Sequence, residues 1–164
     1  MTGTPKPASA SATEMVQVVL PNDANPLGYI LGGTVMHLID IAAAIAAHRH
    51  TRSRVVTAAV DGLRFLHPIK VGDLIILQAR VTATFGTSLE VRVTVYSEES
   101  LTGTRLLTSH AYLTFVAIDE HGSRVRVTPL LLENDDDRRR SEAAHLRRAE
   151  RLRKRAEELD VAET

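Results

Sequence analysis

The sequence predicts an α+β fold in which one long buried helix is wrapped by long antiparallel strands, with a charged helix appended at the C-terminus. Three observations carry this. From Thr34 to Ala47 the chain is apolar on every side and Asp40 is its one charged residue; a helix without a polar face is a buried helix. From Arg54 onward β-branched residues dominate and apolar residues alternate with polar ones, the period-2 mark of strands with two different faces. From about Asn134 the texture changes again, with nine Arg or Lys against two Glu between Arg138 and Arg155. One early helix followed by consecutive strands is the layout of a helix segregated to one side of an antiparallel sheet.

Taken in order, residues 1–13 are mostly Pro, Ser, Thr and Ala with one Lys and are expected to form a disordered leader. They contain no apolar stretch of the kind a signal peptide needs. Met15–Leu20 is a short β-rich run stopped by Pro21, and PNDANPLGYILGG is a loop by its Pro, Asn, Asp and Gly content. The helix from Gly33 to about His50 would be roughly 26 Å long at 1.5 Å per residue. Strands follow in RVVTAAVDGLRFLHPI, LIILQARVTATF, LEVRVTVYSE and TRLLTSHAYLTFVAI, separated by KVGD, Gly86-Thr87-Ser88 and Thr102-Gly103 as turns. The run RVRVTPLLL is expected to leave the core. The core domain is expected over residues 14–133 and a charged helix over 134–164. In that helix Leu146, Ala149, Leu152, Ala156 and Leu159 form a narrow apolar stripe suited to packing on a neighbouring subunit.

At 164 residues the chain suits one domain with tails, and 44% apolar content suffices for a core. Without cysteine there can be no disulfide, thiolate metal site or Cys nucleophile. A net charge of zero gives no global field to draw in nucleic acid. No apolar run approaches the ~18 residues of a membrane span. The expected location is cytoplasmic.

Three features converge on the central stretch. A carboxylate in an apolar helix is costly unless paired or used, which makes Asp40 a candidate general base. Gly32 and Gly33 stand where the helix begins, and bare amides at the positive end of the helix dipole suit a developing oxyanion. Asn25 offers an amide that can orient water or a carbonyl. Asp40 lies seven residues beyond Gly33, so the two are separated by ~10 Å along one helix, whereas a base and an oxyanion donor must converge on one reacting centre. Two antiparallel copies of the helix satisfy both requirements. This predicts a homodimer with composite sites.

The pattern P-x-D-x-N-P-x-G-x-x-x-G-G-x-x-x-x-x-x-D, filled from Pro21 to Asp40, resembles the hot-dog-fold acyl-CoA thioesterases of the acyl-CoA hydrolase type. The resemblance continues through VVTAAVDGLRFLHPIKVGD, GTSLEV and LTFVAID, covering residues 15 to 130. It implies a long helix wrapped by a five- or six-stranded antiparallel sheet, dimers often assembled into hexamers as trimers of dimers, and hydrolysis of acyl-CoA to a free fatty acid and coenzyme A. It further implies that Asp40 activates water, that Asn25 positions the thioester or water, and that amides at Gly32 and Gly33 from the opposite subunit polarise the carbonyl. Arg64, Thr87 and Ser88 are the implied coenzyme A contacts. No cofactor or metal is implied, since coenzyme A enters only as part of substrate and product.

Hot-dog hydratases carry a D-x-N-P-L-H pattern. Here Asp23-Ala24-Asn25-Pro26-Leu27 matches, but Gly28 stands where the acid/base His belongs, so hydrolysis is favoured and Asp23 is read as a loop-capping residue. A ligand-binding protein without catalysis is the other alternative. No G-x-S-x-G elbow is present, which argues against a serine thioesterase of the α/β-hydrolase kind. His48 and His50, two apart on a helix, do not face each other and are expected at the solvated helix end. Ser109 and His110, adjacent on a strand, point to opposite faces.

Overall fold

The apolar run forms a single helix. In the computed structural model, which describes residues 3–162, α1 spans Gly32–Thr51. It follows β1 (Lys6–Pro7) and β2 (Thr13–Val18) and precedes β3 (Arg54–Phe65), β4 (Leu74–Thr84), β5 (Ser88–Glu98), β6 (Arg105–Ile118), β7 (Leu130–Leu131) and α2 (Asp135–Ala162). Five strands make one antiparallel sheet in the order β2-β4-β5-β6-β3, and β1 pairs with β7 in a separate two-stranded parallel ribbon. The sheet therefore has five strands and not six.

The sheet curls around α1. Bulges interrupt β3 between Thr57 and Ala59 and between Asp61 and Arg64, and β4 between Val81 and Ala83; each bends its strand and increases twist. On the concave face Leu77, Ala79, Val81, Leu89, Val91, Val93, Leu113 and Phe115 pack against Val35, Leu38, Ile39, Ala42, Ala43, Ala46 and Ala47. Four alanines on the contact side let the helix axis sit close to the sheet, since interaxial spacing follows side-chain size. Burial of α1 is one-sided within the protomer, however. Met36 is 47% and Ile41 36% exposed, beside an edge strand whose Val56, Val60 and Phe65 are also exposed.

The expected disordered leader is corrected by the structure. Residues 1–2 lie outside the described residues, but Lys6 to Thr13 are held by specific partners. Lys6 Nζ donates to the carbonyls of Arg49 and His50, at 3.1 Å each, placing a cation on the last turn of α1 where the dipole favours it. Ser11 Oγ accepts from Val81 N at 2.9 Å and donates to Ala8 O at 2.7 Å, and Arg49 reaches back to Ala12 O at 2.7 Å. The RVRVTPLLL run does not leave the core either: Val127 is 3% exposed, and Leu130 and Leu131 pair with Lys6 and Pro7.

The C-terminal helix docks by its polar side, leaving outward the apolar stripe expected to pack on a neighbouring subunit. Its leucine stripe faces outward, with Leu146 73%, Leu152 44% and Leu159 56% exposed. Asp137, Ser141 and Ala144 are buried instead, and contact is made with this chain's own sheet. The reason is the chemistry of the convex face. There Glu90, 1% exposed, receives a two-pronged pair from Arg147 at 3.0 and 2.8 Å, and the Arg147 guanidinium lies 3.6 Å from the Tyr112 ring centroid. Arg151 meets Asp61 at 3.0 Å and Asp137 meets Arg80 at 3.4 Å. The start of α2 is capped reciprocally: Asp137 N donates to Asn134 Oδ1 at 2.8 Å and Glu133 N to Asp137 Oδ2 at 3.1 Å. No helix among the described residues is long and apolar enough to cross a membrane.

Candidate active site

The loop before α1 is built around Asn25. Its Oδ1 accepts from Leu27 N at 3.0 Å and Tyr29 N at 3.1 Å, an Asx-type turn. Those two backbone donors fix which side-chain atom is the oxygen, and leave both N–H bonds of Nδ2 to offer. Gly28 takes φ +83° with open space around it, the left-handed backbone that lets the loop reverse. Asp23 Oδ2 accepts from Leu20 N at 3.0 Å, the loop-capping role expected of it.

This loop delivers the chain to an uncapped helix end. Leu31 is the N-cap and supplies no side-chain hydrogen bond, so the first-turn amides keep the unpaired N–H groups every helix start has. A Cβ at Gly32 would just touch the Phe65 ring at 3.4 Å, whereas a Cβ at Gly33 would meet nothing within 4 Å. The space in front of Gly33 is open.

Asp40, expected to be buried, is only half-buried because its side of α1 is open within the protomer. Its Oδ1 accepts from Thr57 Oγ1 at 2.7 Å, tying the helix to β3 just before the first bulge. Asp40, Gly33, Met36, His37, Thr57 and Val60 line a pocket of about 340 Å³. Asn25 and Gly32 line a different pocket of about 380 Å³ together with Tyr29, Phe65 and His67. One protomer thus keeps Asn25 and Asp40 in separate pockets.

The three implied coenzyme A contacts are not gathered in one protomer. Arg64 pairs in register with His110, and Ser88 with Val116; six residues along β6 correspond to roughly 20 Å. Thr87 and Ser88 sit at the β4–β5 turn, where Gly86 takes φ +83°. Ser88 also lines a cleft beneath the second half of α2 with Arg147, Arg151 and Arg155.

Thr57 was missed by sequence reasoning. A threonine in a strand is ordinary, and only the register that sets β3 against α1 brings it to Asp40. His50 was misplaced. It is fully buried, with Nε2 2.7 Å from Thr128 O. Because a carbonyl only accepts, Nε2 carries the proton, and Nδ1 is buried without a partner. Burial pushes the His50 pKa down from 6.5, the Thr128 hydrogen bond opposes this, and nearby Lys6 adds to it.

Comparison with known proteins places this geometry. The family model of the thioesterase superfamily matches residues 27–104. The uncharacterized acyl-CoA thioester hydrolase YkhA of Bacillus subtilis is 40% identical over 119 residues, which are 73% of this chain and 69% of that one. The cytosolic acyl coenzyme A thioester hydrolase of Rattus norvegicus is 31% identical over 140 residues, and there the match spans only 37% of the relative's length. Among solved structures, an acyl-CoA hydrolase of Staphylococcus aureus in complex with butyryl coenzyme A, coenzyme A and coenzyme A disulfide superposes with a TM-score of 0.88 at 34% identity, covering 96% of each chain. That enzyme has also been solved with alanine replacing, in turn, an aspartate, an asparagine and a threonine. An apo-hexameric acyl-CoA thioesterase gives a TM-score of 0.89 at 40% identity, covering 94% of this chain and 99% of that one. By its central helix, its five-stranded wrap and these likenesses, the chain belongs to the acyl-CoA thioester hydrolases of the thioesterase superfamily and has their hot-dog fold.

Proposed function

We propose that the protein hydrolyses acyl-CoA by water activated at Asp40, in a site completed by the Asn25 loop and the Gly32-Gly33 helix start of a second copy. The observation that carries this is the Thr57–Asp40 hydrogen bond of 2.7 Å in a pocket that opens along the β3 edge. Thr57 occupies one carboxylate oxygen and leaves the other to accept a proton from water. The water oxygen attacks the thioester carbonyl carbon, negative charge grows on the carbonyl oxygen, and the bare amides at Gly32 and Gly33 with Nδ2 of Asn25 stabilise it. As the C–S bond breaks, the proton held by Asp40 passes to sulfur, giving a fatty acid and free coenzyme A with water as the only co-reactant. A general base contributes about 10²–10⁴-fold and each oxyanion donor ~3 kcal/mol.

The second copy is argued from the open seam. β3 is a twelve-residue edge strand with exposed Val56, Val60 and Phe65, and a long apolar edge left bare is a template for pairing. Two-fold pairing of β3 with itself sets two α1 helices side by side. The hexameric relative supports a trimer of such dimers, and the rat relative's cytosolic name supports a cytoplasmic location. Residue types alone agree too: an aspartate, an asparagine and a threonine were the positions replaced in the Staphylococcus aureus enzyme. Arg64, Thr87 and Ser88 remain the proposed coenzyme A contacts, drawn from more than one region of the assembly.

The test is release of free thiol from a panel of acyl-CoAs, short to long. Asp40→Asn is expected to lower kcat by about 10²–10⁴-fold with fold and coenzyme A binding retained, and wild-type rates in that variant would overturn the role. Co-expression of Asp40→Asn with Asn25→Ala subunits tests the composite site. A mixed dimer holds one intact site, so about a quarter of wild-type activity should return; none returns if both residues serve within one chain.

A further inference from the structure

The convex face of the sheet holds a second polar pocket, of about 460 Å³, beside the first turns of α2 and away from Asp40. Arg80, Arg92 and Arg140 line it with Thr94, Tyr96 and Glu14. Arg80 on β4 and Arg92 on β5 are directly opposite each other in register. Like charges placed so on one face of an antiparallel pair repel and destabilise. Arg80 finds relief at Asp137, 3.4 Å away, and Arg140 reaches the same carboxylate at 3.6 Å. Arg92 finds none: its Nε is buried without a hydrogen-bond partner, as is Nε of Arg80, and no carboxylate among the described residues pairs with it. Its neighbour on the other side is Tyr112, whose ring is already covered by Arg147. Glu14 at the rim accepts from Gln78 Nε2 at 2.9 Å. Two of the three guanidinium groups thus share one buried carboxylate and the third has none, which leaves spare planar donors.

We propose that this pocket is an anion site that takes a phosphate group of a small ligand. Arginine forks match phosphate oxygens in pairs, and a multiply charged phosphate answers the excess of positive charge better than one carboxylate. Occupancy would relieve the Arg80–Arg92 repulsion and tie β4, β5 and the start of α2 together. A free ligand's phosphate and coenzyme A's own share this chemistry, and the test below separates them.

Thermal unfolding of the assembled protein with inorganic pyrophosphate, at constant ionic strength, tests the site. A ligand that binds only the native state raises the midpoint with concentration, so a saturating rise is expected in wild type. The rise should vanish in Arg92→Gln and shrink in Arg140→Gln, while Arg155→Gln, which alters an exposed cation elsewhere on α2, keeps it. Without ligand, Arg92→Gln should be at least as stable as wild type, because it removes a repulsion; an arginine held for structure alone would leave the variant weaker. Displacement of pyrophosphate by coenzyme A but not by pantetheine identifies coenzyme A as the source, and displacement by neither identifies a separate phosphate ligand. No rise in wild type, as when a second copy's carboxylate fills the pocket, overturns the proposal. So does an equal rise in Arg92→Gln.

Discussion

The two helices cover opposite faces of one sheet and are held by opposite chemistry. α1 meets the concave face through aliphatic side chains, seven of them buried against Leu77, Val91, Val93, Leu113 and their neighbours, with the Asp40–Thr57 hydrogen bond only at the β3 edge. α2 meets the convex face through arginines, each on its own acid: Arg147 on Glu90 and Arg151 on Asp61, with Arg80 of the sheet on Asp137. Aliphatic packing is non-directional and scales with area, so it tolerates imprecision. Ion pairs at a half-buried seam contribute only where geometry is good and desolvation is offset. The concave side therefore carries the stability of the fold, and the convex side fixes where a charged arm lies.

The largest expected effect is on the concave side. Leu77, on β4 facing α1, is fully buried. Leu77→Ala should cost about 3 kcal/mol of unfolding free energy, measured by denaturant titration. On the convex side Arg147→Ala strands Glu90 and should cost about 2 kcal/mol, less than a fully buried pair would, because Arg147 is 26% exposed and water can enter. Replacing both Glu90 and Arg147 with leucine should return to within about 1 kcal/mol of wild type. If the double variant were as weak as the single one, the contrast between the faces would fail.

The smallest effect is a pH dependence at the far end of α1. His50 is held neutral by burial, its pKa below 6.5. Unfolded, it takes up a proton as the pH falls through about 6.5, so the unfolded state then binds more protons than the native one. Its contribution is present in full above that pH and is lost as the pH falls toward the folded value. The unfolding midpoint of His50→Gln should change less than that of wild type across that window.

What could be read beforehand depended on how local the cause was. The central helix was legible because thirteen of fourteen residues from Thr34 to Ala47 carry no charge, and the strands because their alternation is written residue by residue. Asn25, Gly32, Gly33 and Asp40, the proposed site residues, stand out in the sequence only as a spacing. Thr57 does not stand out, since its meaning lies in a hydrogen bond to a residue seventeen positions away. The leader was misread because its composition is that of a disordered segment, while Lys6 and Ser11 act through carbonyl and amide groups at residues 49, 50 and 81. The α2 stripe was legible as an apolar face, but the docking of the helix on its own sheet was not. An apolar stripe names the face a helix would bury against an apolar surface, and the convex face opposite it holds Glu90, Arg80 and Asp61.

The pairing of Lys6 with Leu130 bears on the order in which the chain becomes structured during synthesis. A nascent chain emerges N-terminus first, yet β1 has no strand to join until nearly the whole barrel-like wrap has left the ribosome. Lys6 and Pro7 precede the whole sheet in the chain yet are among the last of it to be fixed, and α1 waits for the cation on its final carbonyls until β7 arrives to hold Lys6 in place. Joining Lys6 to Leu130 places the last cation on α1, the helix carrying Asp40, only after the sheet that wraps it has been made.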